Sequence, residues 1–330
     1  MGRVSAFADP EIIKLATEKF IPVTVDDWYQ RRRQDAEGRF FIKVANQGPR
    51  KGQGGSTRQG IYCLTADGEL LAYKNAGNSS EATREQLLLA LAKFEKLPTN
   101  RRLPGAVAIE PFGKPDANYQ RTPPENGLIL RVHGRILDKK AGEICNASCD
   151  FPGGGKASRD FLWLTAKEWK ALIPKPELGF SYSLPVSVTK RIARFCLIDN
   201  TRGEPEFWKG TDVRKADFGL KVTSITPEKI EVSLVGNALL ADEADLIASK
   251  RGYECSLIGR LTFDIAKGKF TNIDAVALGE YWGATTYTQK GVRPGKNLYG
   301  VAFSLPPMDR PGDRVSPQAA REWNEYLRPN

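Results

Sequence analysis

Phe218-Gly-Leu-Lys-Val-Thr-Ser-Ile225 and Ile230-Glu-Val-Ser-Leu-Val-Gly-Asn-Ala-Leu-Leu240 flank the turn signal Thr226-Pro227. Two runs rich in β-branched and aliphatic residues, joined by so short a turn, predict paired strands. The pattern continues downstream. Cys255–Ile265 and Phe270–Leu278 flank Lys267-Gly268, and a further strand is expected over Leu298–Ser304. Successive strands with short turns imply an antiparallel sheet, either curved or sandwich-like.

Upstream of this run, Leu128-Ile-Leu-Arg-Val-His133 reads as extended, and Ala141-Gly142 reads as a turn before Ile144. Thr165-Ala-Lys-Glu168 is a capping box that opens a short helix through Leu172. A second helix is expected over Pro185–Phe195. Ser316 and Pro317 start a closing helix through Tyr326. No internal repeat at a fixed period is present.

The first hundred residues have a different texture. Asp9 can cap a helix with Pro10 at its first position and a stripe of Ile12, Ile13, Leu15 and Ala16. Ile21-Pro-Val-Thr-Val25 reads as a short strand. A helix is expected from Asp27 to Ala45, burying Trp28, Phe40, Phe41 and Val44. Residues 47–59 form a loop rich in Gly and Arg. A hairpin follows, with Gly60–Thr65 and Glu69–Tyr73 flanking Ala66-Asp67-Gly68. A third helix starts at Ser79, Ser80 or Glu81, presents Leu87, Leu88, Leu91 and Phe94, and ends at Pro98.

The fold class expected is therefore α+β: a small α/β unit over residues 1–98, a Pro-rich linker over 99–127, and a larger, mainly antiparallel β domain with a few helices over 128–330. At 330 residues the length suits two domains. A hydrophobic content of 41% supports packed cores and argues against a disordered chain. No apolar run reaches the ~20 residues of a membrane helix, and Met1–Pro10 lacks the pattern of a signal peptide. The net charge is +10, but the basic residues are scattered. Arg31, Arg32 and Arg33 are diluted by Asp26, Asp27, Asp35 and Glu37. No nucleic-acid-binding signature accompanies the charge, so nucleic acid is not the expected partner.

The segment Asp9–Asp26, the hairpin Gly60–Tyr73 and the helix from Glu81 together resemble a thioredoxin-like domain. The resemblance covers under a third of the chain and rests on a pattern rather than a diagnostic motif. It implies a helix leading into a strand that ends in Asp, then a hairpin, then a helix covering the sheet. Two departures matter. Redox-active members carry Cys-x-x-Cys at the start of the first helix, where Ser5–Asp9 has no cysteine. They place a cis-proline before the hairpin, where Thr57-Arg-Gln-Gly60 stands. The resemblance thus implies a redox-inactive unit. The family's first strand precedes its first helix, yet only Met1–Ala8 precede Asp9. Either the unit is pared down or the natural beginning is missing. The compartment is accordingly cytoplasmic in the first case and open to export in the second. The whole chain also resembles bacterial proteins that join such a unit to a β-rich C-terminal part; that resemblance implies no activity.

Candidate chemistry lies elsewhere. Cys145-Asn-Ala-Ser-Cys149 places two of the five cysteines four positions apart, within reach of a disulfide or of a Cu(I) or Zn site. His133, the single histidine, can supply a third ligand. Ordinary thiols and a lone strand histidine are the plainer reading of the same residues. Cys63 sits inside an expected strand and reads as a core thiol. Phe151-Pro-Gly-Gly-Gly-Lys-Ala-Ser158 departs from a phosphate loop, because Asp150 stands in the place of its first glycine and Ala157 in the place of its hydroxyl residue.

Asp199, Arg202, Glu204, Glu206 and Trp208 share one loop, and Glu280, Tyr281 and Trp282 stand together at a strand end. Carboxylates, an arginine and aromatics on loops compose a binding site. If the segments meet, they form an aromatic-lined pocket with Glu204, Glu206 and Glu280 at its rim. The first functional expectation is a non-enzymatic protein binding a small ligand or a protein partner, with no cofactor. The alternatives are a hydrolase-like enzyme with its site in the β-rich part, and a thiol- or copper-handling protein using Cys145 and Cys149.

Overall fold

The computed structural model describes residues 6–52, 56–75, 79–109, 111, 113–137, 157–289 and 292–327. Cys145 and Cys149, the turn at Ala141-Gly142 and residues 151–156 lie outside them. The chain divides into two compact units, Met1–Arg121 and Thr122–Asn330. The division falls inside the Pro-rich segment. Within the first unit the Asp116 N–H donates to Asp35 at 2.8 Å, so the early part of that segment folds back on its own unit.

In the first unit, α1 (Pro10–Lys19) starts where expected. Asp9 accepts hydrogen bonds from the N–H groups of Glu11 and Ile12 and caps the helix. The expected strand at Ile21–Val25 does not form. The segment is irregular, and Ile21 and Val23 are 91% and 76% exposed. β-Branched residues favour a strand only where a partner pairs with it, and Pro22 removes one donor. The single helix expected from Asp27 to Ala45 is two: α2 (Asp27–Gln30) and α3 (Ala36–Ala45). Asp35 makes the break. It caps α3 through the Gly38 N–H at 3.0 Å and takes a charged hydrogen bond from Arg33. That guanidinium holds the Asp35 carboxyl well below the usual carboxylate range. β1 (Ile61–Leu64) and β2 (Leu70–Lys74) form the expected antiparallel hairpin. α4 (Ser80–Glu95) follows, capped by Ser79, and α5 (Thr99–Arg102) is one turn. Ile12, Cys63, Leu71, Ala72, Leu87 and Ala90 make this unit's core. The hairpin is the unit's one sheet among the described residues.

In the second unit the strands are β3 (Leu128–Ile136), β4 (Asp160–Leu164), β5 (Ser181–Ser183), β6 (Val213–Ile225), β7 (Lys229–Ala241), β8 (Gly252–Asp264), β9 (Lys269–Trp282) and β10 (Asn297–Ser304). They form one sheet in the order β4-β3-β10-β9-β8-β7-β6-β5, antiparallel at every step. β6 to β9 are a meander of 13- and 14-residue strands. α6 (Ala166–Lys170) opens with the Thr165/Glu168 capping box. α7 (Val186–Arg191) runs into a π-helical turn over Ile192–Cys196. The closing helix is shorter than expected: a 3-10 turn over Gln318–Glu322 leads into α8 (Trp323–Leu327).

The sheet is curled rather than doubled into a sandwich. Leu162 on the edge strand β4, Leu220 on β6 near the other edge, and Val188 and Ile192 from α7 and its π turn line one apolar cavity. Strands six positions apart converge there only if the sheet wraps around α7. The curl brings neighbouring backbones close, and glycine permits it. A Cβ on Gly236 would sit 2.3 Å from the Asp217 carbonyl, and one on Gly259 would sit 2.6 Å from the Ala275 Cβ. Gly236→Val or Gly259→Val should therefore destabilise the protein by about 2–3 kcal/mol in urea melts, as overpacking does.

Asp160, at the start of β4, accepts from the N–H groups of Phe161 and Gln318. Burial nevertheless pushes its pKa up to about 6, from an ordinary 3.8. Folding thus favours its neutral form, so the residue costs stability above pH 6 and the cost fades as pH falls through 6 toward 4. Asp160→Asn keeps the acceptor oxygen. In thermal melts it should gain about 1–2 kcal/mol near neutral pH and about nothing near pH 4.

Candidate functional site

Asp199 and Arg202 follow the π turn and are 3% and 8% exposed. Asp199 Oδ1 accepts from the Thr201 N–H and Oγ1–H at 2.9 and 2.6 Å. Its Oδ2 accepts from Arg202 Nε at 2.7 Å. Arg202 then reaches across to the loop after β9. Its Nη1 donates to the Thr288 carbonyl at 3.1 Å and its Nη2 to the Gly283 carbonyl at 3.0 Å. A Cβ on Gly203 would sit 2.3 Å from the Tyr287 carbonyl, so only glycine lets the two loops approach this closely. The two segments singled out in the sequence do meet.

Where they meet is a shallow recess, open to solvent. Asp199, Arg202, Tyr281 and Trp282 line it, together with Arg293 and Asn297. Trp282 packs on the backbone of Gly252, and Lys296 lies 4.7 Å above its ring. Tyr281 packs in a cluster with Tyr253 and Tyr299, the rings tilted or edge-on with centroids 5.6–5.7 Å apart. Burial raises the pKa of all three hydroxyls, which stay protonated near neutral pH. Tyr299 donates its proton to the Ile198 carbonyl at 2.9 Å.

The other four residues of the expected pocket lie apart from the recess lining. Trp208 is 1% exposed and belongs to the core. Its Nε1–H donates to the Leu197 carbonyl at 2.9 Å, and the Arg251 guanidinium stacks 3.8 Å over its ring. Arg251 also donates to the Tyr281 hydroxyl and to the Glu206 carbonyl. The Glu206 carboxylate takes the Thr286 hydroxyl, and Glu204 pairs with Arg321. Glu280 shares Lys296 with Glu254, at 3.8 and 3.5 Å. These three carboxylates therefore anchor neighbouring elements rather than form a rim.

Arg293 and Asn297 were not singled out in the sequence. Antiparallel pairing places Asn297 directly opposite Tyr281, a proximity that only the β9–β10 register supplies. His133 lies on β3 with Ala302 as its strand partner, and its Nδ1 donates to the Ser158 carbonyl at 3.1 Å. Among the described residues no group of three or more His, Cys, Asp or Glu side chains converges to hold a metal ion. Cys63, Cys196 and Cys255 are buried free thiols. Burial pushes Cys63 up to about 11 and Cys255 up to about 12, which disfavours thiolate chemistry at both. No described helix is long and apolar enough to cross a membrane.

Trp208 and Trp282 should thus respond differently to substitution. Trp208→Ala should cost about 3–5 kcal/mol in urea melts, the loss typical of a buried tryptophan. Trp282→Phe should cost about 1 kcal/mol or less, because it keeps an aromatic ring on Gly252. Comparison of the chain with protein-family models, with curated proteins and with solved structures gives no match.

Proposed function

We propose that the chain is a non-enzymatic binding protein whose β-rich unit takes a small ligand in the recess between β9, β10 and the loop after α7. The observation that carries this reading is the meeting of Arg202 and Trp282 in one solvent-open recess. A built-in polar pair and an aromatic wall on a rigid sheet are what orient a small molecule. The charge balance indicates the ligand's class. Two guanidiniums, Arg202 and Arg293, line the recess against one carboxylate, Asp199. Asp199 is paired with Arg202 itself, so the lining carries one net positive charge, from Arg293. A compact planar anion, such as an aromatic carboxylate, matches that surplus of positive charge and the Trp282 ring.

The N-terminal unit is read as thioredoxin-like and redox-inactive. The hairpin under α4 supports the first part, and the burial of Cys63 in that unit's core supports the second.

Benzoate, inorganic phosphate and neutral benzamide are the probes that test the ligand reading, with melting temperature and tryptophan fluorescence as readouts. Benzoate should raise the melting temperature and perturb the fluorescence, and benzamide should do neither. Arg293→Ala should weaken benzoate binding by about tenfold or more while leaving the fold intact. Binding of benzamide as tight as benzoate would overturn the charge argument. Equal binding by the folded Arg293→Ala protein would move the site elsewhere, and no response to any probe would count against a ligand of this class.

A further inference from the structure

Alternation along the strands leaves an apolar row on the outer face of the second unit's sheet. Val235, Ile258, Val276 and Leu278 are 56%, 65%, 42% and 43% exposed. The first three stand in register on β7, β8 and β9: Val235 opposite Ile258, and Ile258 opposite Val276. Leu278 lies one step along β9, opposite Ser256. Contiguous aliphatic side chains on a sheet face mark a docking surface more often than they mark chance exposure. The row next to it holds opposite charges in register, Arg260 on β8 facing Asp274 on β9.

This layout is self-complementary. A twofold axis parallel to the strands and midway between β8 and β9 lays β8 of one copy on β9 of the other and keeps position along the strand. Ile258 then meets the second copy's Val276, and Arg260 meets the second copy's Asp274. Each contact occurs twice, as an isologous interface requires. The sheet is curled around α7, so its outer face is convex across the strands and the two copies touch along β8 and β9. At one end of that line Glu254 would approach the second copy's Glu280. Lys296, within 4 Å of both carboxylates in its own chain, offsets their repulsion there. We propose that the chain forms a homodimer through this face, with the Ile258–Val276 row at its centre and the Arg260–Asp274 pair setting its register. The proposal stands independently of the recess and its ligand.

Sedimentation velocity on the full chain between about 5 and 200 µM tests it, a range that covers an ordinary homodimer. The wild type should sediment as a dimer. Ile258→Lys should raise the dissociation constant by about tenfold or more, with unchanged circular dichroism. Arg260→Asp should weaken the dimer by about tenfold, because it sets two acidic residues against each other. The double variant Arg260→Asp/Asp274→Arg should restore association to within about threefold of wild type, since the swapped charges again face opposites. A monomer throughout the concentration range, a dimer that survives Ile258→Lys, or a folded double variant that stays monomeric would each overturn the proposal.

Discussion

One guanidinium ties the second unit together. Arg191, the last residue of α7, has no exposed surface. Its Nε donates to the Tyr326 carbonyl at 2.5 Å and its Nη2 to the Leu327 carbonyl at 3.0 Å, so it holds α8. Its Nη1 donates to the Trp163 carbonyl on β4 and to Glu168 Oε2, at 3.2 and 2.7 Å. Burial would raise the Glu168 carboxyl, but Arg191, the Thr165 N–H and the Ser187 hydroxyl outweigh it and hold it below the usual range. A buried ion pair contributes little net stability against a well-packed apolar substitute, yet losing one of its partners leaves an uncompensated buried charge and is costly. Here those partners lie on α6, β4, α7 and α8. Shifting any one of these elements would leave the buried charge short of a partner, so the pair ties their positions to one another.

The same device recurs just beyond the π turn that follows α7. Arg202 and Asp199 are also buried, and Arg202 spends its Nη donors on two carbonyls of the loop after β9. Arg251 adds a third buried guanidinium, stacked on Trp208 and bonded to Tyr281 and to the Glu206 carbonyl. The recess walls are therefore held by hydrogen bonds that loop mobility would break. Such a frame suits a preformed site, in which the groups facing a ligand are ordered before it arrives.

How much of this was legible in the sequence follows from how local each signal is. The meander from β6 to β9 was legible, because each strand is long and each turn carries its own residues. β4 and β5 were not: five and three residues long, they are strands only because β3 and β6 lie beside them. Ile21–Val25 was misread for the converse reason, having strand composition and no partner. The break before α3 was hidden because Asp35 caps through Gly38, without the Glu or Gln that completes a capping box. In the recess, Asp199 and Arg202 announced themselves as charged residues on a loop, and Tyr281 and Trp282 as aromatics at a strand end. Asn297 did not, since strand register alone brings it in, and neither did Arg293, which lies in the loop before β10. Trp208 looked the same in sequence as Trp282, and only packing under Arg251 separates a core ring from a wall.

β9 shows how tightly these features are bound to one another. Its outward residues Val276, Leu278 and Glu280 contribute to the apolar row and to the Lys296 cluster. Its inward Ala277 and Tyr281 pack in the core and against the recess. A slip of one residue in its pairing would exchange the two sets, setting Leu278 and Glu280 inward and Tyr281 toward solvent. The inner face alone specifies the register through burial. Trp282 falls on the same side of β9 as Glu280, so Lys296 rests on the Trp282 ring while pairing with Glu280 and Glu254 beside it. The end of β9 thus carries both a wall of the recess, Trp282, and an acidic pair, Glu254 and Glu280, gathered by one cation, and both positions depend on the same register.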